Sequence, residues 1–171
     1  MSGDRVLRLD PFKAADQRRC LELSVPLSSF KRLQSVLLES EGEVSCKFVF
    51  SKGERNEIWI QFEYRARLTL RCERCLGKVA QLLEDTVRLR LVDSAVELAR
   101  DDEESIEVGE RGLYLPDVIE DELLLALPLI PKHGQYGQCD PESVRWLKTT
   151  DGSSTDEQAE NPFAILRKLK Y

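Results

Sequence analysis

A chain of 171 residues with 42% apolar content is long enough to bury one core and leaves little room for a second. The net charge of −6 is uneven: residues 1–100 carry 18 Lys/Arg against 15 Asp/Glu, and residues 101–171 carry 7 against 16. That balance excludes attraction to polyphosphate by bulk charge, so any such contact needs a local basic face.

The first ten residues, with Asp4, Arg5 and Arg8 and no apolar h-region, carry no export signal. Residues 123–130 are the longest apolar run and contain Pro128, far short of a bilayer span. A soluble, cytoplasmic protein without membrane contact is expected, and in that compartment five cysteines point to metal binding or plain burial rather than disulfides.

In chain order, residues 20–25 read as a short strand. Ser28 or Ser29 then caps a helix in which Phe30, Leu33 and Leu37 recur at helical spacing, with Gly42 as its stop. Cys46, Phe48 and Phe50 alternate with Ser45, Lys47 and Ser51, the period of a half-buried strand ending near Lys52 and Gly53. The clearest signal is residues 57–71, where Ile58, Ile60, Phe62, Tyr64, Ala66, Leu68 and Leu70 fall on one face. Val79, Leu83, Val87, Leu89 and Leu91 continue it, so residues 57–92 form a long antiparallel hairpin with its tip at residues 72–77. Residues 93–104 are acidic and read as a solvated loop.

Pro116 opens a helix whose apolar surface is Val118, Ile119, Leu123, Leu125 and Ala126, and Pro128 ends it. Residues 149–160 (TTDGSSTDEQAE, from Thr149) read as a flexible linker. Beyond it Asn161 and Pro162 start a short amphipathic helix carrying Phe163, Ile165, Leu166 and Leu169. The expected fold is α+β: one domain over residues 1–148, built on an antiparallel meander-like sheet with a long central hairpin, packed helices and flexible acidic loops. The linker and the terminal helix, residues 161–171, follow it.

Two groups of residues carry chemistry. Cys72 and Cys75 have the two-residue spacing that lets two thiolates face one tetrahedral metal, with Gly77 easing the turn, but they supply half a site. His133, the only histidine, and Cys139 can complete a Cys3His zinc site if residues 131–141 fold onto the hairpin tip. Reduced thiols at a turn fit the same spacing, whereas a thioredoxin-like pair needs a helix start that is missing here. Cys20 and Cys46 read as buried small apolar residues.

On the hairpin face opposite the apolar row stand Trp59, Arg65, Arg67 and Arg71 from one strand and Arg88 and Arg90 from the other. Guanidinium forks match phosphate oxygens and an indole can stack on an unpaired base, so this face reads as an RNA platform. Neutralisation by Glu63 and Glu84 across the strands is the alternative.

Three motifs, CERCL at the tip, IEDELLLALPLIPKH at 119–133 and NPFAILRKLK at 161–170, together resemble the YceD family of large ribosomal RNA subunit accumulation proteins. The resemblance implies a non-catalytic role in accumulation or processing of 23S ribosomal RNA, with that RNA or a precursor large subunit as partner. Many relatives carry a CxxC knuckle and a cysteine-rich stretch after the equivalent of Leu127 and Pro128, which suggests a zinc-ribbon-like site. Here His133 and Cys139 fall where two of those cysteines are expected, and the second CxxC is missing.

Glu120, Asp121 and Glu122 do not read as a nuclease centre, because three consecutive helical residues spread around the cylinder and no second acidic motif matches them. The terminal helix, with Arg167, Lys168 and Lys170, reads either as a partner-binding segment or as one docked on its own core. Against an RNA-binding role stands a second reading: a zinc-stabilised protein-interaction module that acts on a ribosomal protein or processing nuclease without touching RNA.

Overall fold

The computed structural model describes residues 7–54, 56–92, 105–109 and 111–145. The acidic stretch 93–104, the linker 149–160 and the tail 161–171 lie outside the described residues.

Alternation of apolar and polar side chains dictates the body of the fold. Strands β2 (Cys20–Pro26), β3 (Glu43–Lys52), β4 (Ile58–Arg71) and β5 (Lys78–Val92) pair antiparallel in chain order, and β6 (Ser105–Glu107) adds to β5 in parallel. The five-stranded sheet is therefore mixed, not wholly antiparallel. On β4 every second residue from Ile58 to Leu70 is buried, and the register sets Phe62 opposite Phe48 on β3 and Val87 on β5. The rings of Phe48 and Phe62 stack with centroids 4.8 Å apart. A one-residue slip would turn this whole row to water, so the pattern fixes the register.

Four further elements surround the sheet. Strand β1 (Arg8–Leu9) pairs with β7 (Leu113–Tyr114) in a separate ribbon. Helix α1 (Pro11–Asp16) lies against β3 and β4; Asp10 caps it by accepting from the Phe12 and Lys13 amides, and proline occupies its first turn. Helix α2 (Leu115–Leu125) starts around Pro116 as expected and buries Val118, Ile119 and Leu123. Leu125, expected on its apolar surface, is instead 78% exposed. No described helix is long and apolar enough to cross a membrane.

The helix expected after Ser28 does not form. Two 3-10 turns, Leu27–Ser29 and Leu33–Ser35, stand there, with Phe30 extended between them. The reason is a long-range acceptor. Glu120 of α2 is buried and takes hydrogen bonds from the Arg32 amide at 2.7 Å, the Leu33 amide at 3.1 Å and the Arg32 guanidinium at 3.0 Å, while Asp121 pairs with Arg32 at 2.6 Å. These acidic residues thus staple two segments together.

Burial pushes the Glu120 pKa up, but the donations from Leu33 and Arg32 outweigh it and hold the group below its ordinary value of 4.5. A depressed carboxylate contributes stability that is complete above the ordinary value and fades as pH falls through the lower folded one. Glu120→Gln is expected to lower unfolding stability by about 1–2 kcal/mol at pH 7. Urea titrations should also give a flatter stability profile below pH 4.5 than the parent's, because the variant has no charge to lose there.

Candidate metal centre and nucleic-acid interface

The hairpin tip, residues 72–77, is a tight knuckle. The Cys72 amide donates to the Gly77 carbonyl at 2.8 Å and the Leu76 amide to the Cys72 carbonyl at 2.7 Å. Leu76, rather than Gly77, takes the left-handed conformation, with φ of 60°. That costs about 1–2 kcal/mol for a residue with a Cβ, strain that the surrounding contacts must hold in place.

Residues 131–139 fold onto this tip as the sequence expectation required. The Glu73 amide donates to the Pro131 carbonyl at 2.8 Å, and the candidate ligand atoms of Cys72, Cys75, His133 and Cys139 all lie within 4.8 Å of one another. His133 Nδ1 is 3.5 Å from the sulfurs of both Cys75 and Cys139. Bond lengths of about 2.3 Å to sulfur and 2.0 Å to nitrogen imply tetrahedral edges of roughly 3.5–3.8 Å; the two His133–sulfur distances match that, and the set as a whole, within 4.8 Å, would draw in by up to about 1 Å around zinc.

The surroundings fit a metal as well. His133 Nε2 is 3.0 Å from the Lys78 carbonyl, which can only accept, so Nε2 carries the proton and Nδ1 presents its lone pair to the sulfurs. Burial pushes the Cys72 thiol pKa up, yet the His133, Cys75 and Arg74 amides and the Cys75 side chain more than offset this and bring it to about 6. Cys139 moves upward, through burial and then the neighbouring Cys75 sulfur. Three crowded sulfurs around one imidazole favour a cation between them. Zinc with three thiolates and a neutral histidine is left with one negative charge, and the Arg74 guanidinium stands 3.7 Å from the Cys139 sulfur to balance it. Arg74 also lies 4.0 Å over the Tyr136 ring, a partner the motif spacing gave no means of finding.

The other cysteines are unlike these. Cys46 is buried on the sheet's apolar face, and desolvation pushes its pKa up to about 12, which makes it inert. Cys20, expected to be buried, is exposed, because its strand position turns it to the outer face of the edge strand.

The outer face gathers the predicted arginines. Trp59 opposes Arg90, Arg65 opposes Glu84, and Arg71 opposes Lys78 across β4 and β5, while Arg67 and Arg88 share the same side. Their states differ. Arg88 sits 4.1 Å over the Trp59 ring, so this face of the indole is covered. Arg65 pairs with Glu84 at 3.6 Å, whereas Glu63 makes no ion pair among the described residues. Arg90 is half-buried. Lys78, which spacing alone did not single out, pairs with Glu39. The side chains of Arg67 and Arg71 are exposed and make no ion pair or hydrogen bond among the described residues.

Residues 60–170 match the family model described as large ribosomal RNA subunit accumulation protein YceD. A protein of that name from Haemophilus influenzae is 29% identical over 170 residues, covering 96% of this chain and 95% of that protein. No solved structure matches the chain.

Proposed function

The chain belongs to the YceD family, and from that premise we propose that it is a cytoplasmic, non-catalytic factor that supports accumulation of 23S ribosomal RNA by holding that RNA, or a precursor particle, on its basic sheet face. One observation carries the reading: the register gives Arg65, Arg67, Arg71, Arg88 and Arg90 a single side of β4 and β5. Two-residue steps along a strand repeat every ~6.5 Å, so such a row offers guanidinium groups at spacings a polynucleotide backbone can follow. Arg67 and Arg71 lead the contact, since their charges are not shared. Trp59 contributes less by stacking than the sequence suggests, because Arg88 covers one face of its ring.

Zinc held by Cys72, Cys75, His133 and Cys139 supplies a structural cross-link that fixes the 131–139 loop to the tip. No residue is assigned a catalytic step. Crosslinking in cells followed by sequencing of attached RNA tests the reading: enrichment of 23S fragments should disappear with the pair Arg67→Glu and Arg71→Glu. Protein crosslinks without RNA would overturn it. They would favour the alternative, a zinc-stabilised module acting on a ribosomal protein or processing nuclease, which the Arg65–Glu84 pair and the covered indole support.

A further inference from the structure

Beside the knuckle runs a groove of about 490 Å³ in which apolar side chains stand beside the charged Arg71 and Glu73. Val36 and Leu38, 45% and 41% exposed, line it together with the fully exposed Leu129, the half-buried Pro131 and the buried Leu70. Single exposed apolar residues need no explanation, but a contiguous group in a concavity marks a surface that something covers.

We propose that residues 161–171 of this same chain occupy the groove, with Phe163 and Leu166 seated in it. The volume falls within the ~300–1,000 Å³ of pockets that take a few apolar groups, whereas a protein partner needs a surface of about 800 Å² on each side. The tail supplies such groups: Phe163, Leu166 and Leu169 recur every three residues, and an eleven-residue helix has too few turns to hold itself together in water. Such a segment needs a surface to lie on. The family match continues to residue 170, so the tail belongs to the stretch this chain shares with its family. Of the two charged residues that line the groove, Arg71 and Glu73, Glu73 offers a carboxylate to Arg167, Lys168 or Lys170.

Reach is ample. Cys139 lies against Cys72, next to the groove residue Glu73, and Arg145 is six residues further on, at most ~20 Å away. Residues 146–160 then span ~20 Å as a coil and up to ~50 Å extended.

A photoreactive benzoylphenylalanine in place of Phe163 in the full chain tests the assignment. Irradiation of the purified monomer should give an intramolecular crosslink that digestion maps to residues 35–38 or 127–131. Leu129→Glu, at a position that contributes nothing to the core, should cut its yield about tenfold, the worth of one buried leucine. Crosslinks elsewhere on the chain, crosslinked dimers, an unchanged yield with Leu129→Glu, or no crosslink at all would each overturn it.

Discussion

Protein purified under reducing conditions is expected to carry about one zinc per chain by elemental analysis, and Cys72→Ser to carry none. Cys20→Ser, which removes an exposed thiol far from the knuckle in sequence, should keep the full complement. The sheet buries its own core without the metal, so chelation should loosen the tip rather than unfold the chain. Linkage gives the size: a metal at 100 to 1,000 times its dissociation constant adds about 2.7–4.1 kcal/mol. For a chain of this length that corresponds to a fall in Tm of roughly 5–15 °C on removal. The same treatment should expose the Glu73 amide, bonded to Pro131, to hydrogen exchange while the amides of central β4 stay protected. Reduced protein that is free of zinc, or Cys72→Ser that retains it, would end the metal assignment.

The hairpin and the knuckle were legible in the sequence for physical reasons. A strand buried on one face must alternate, and from Ile58 to Leu70 no residue breaks the rule. A pair of thiols that share a metal needs fixed spacing, and His133 and Cys139 stand in a loop poor in core residues, although reduced thiols at a turn and an ordinary loop histidine fitted the same pattern. What stayed hidden depends on distant partners. Phe30, Leu33 and Leu37 have helical spacing, but the Arg32 and Leu33 amides bond to Glu120, 88 and 87 residues away, and no local pattern announces that. The Leu38 amide similarly bonds to the Thr69 carbonyl, where β4 runs past the end of β3. Strand β6 is three residues long and follows undescribed chain, too short for alternation to reveal. Helix α1 was missed, although Asp10 followed by Pro11 is a cap and a first-turn proline that could have announced it.

Charge reversal at Arg67 and Arg71 should weaken binding of a 23S-derived RNA fragment by about one to two orders of magnitude at low salt. Every cation withdrawn from a phosphate takes about 0.7–0.9 from the slope of log affinity against log salt, so the double variant's slope should shrink by roughly 1.4–1.8. Damage to the fold would lower affinity without that fixed change in slope. A variant of opposite sign separates the two further. Glu84 draws the Arg65 guanidinium to itself at 3.6 Å, so Glu84→Gln releases a cation to the face and removes a repelling charge. It should therefore tighten the same complex several-fold, on the order of one surface ion pair. An acid-to-amide change that strengthens RNA binding has no account in a protein-only module. If neither the reversal nor the release moves affinity or salt slope, this sheet face does not contact RNA.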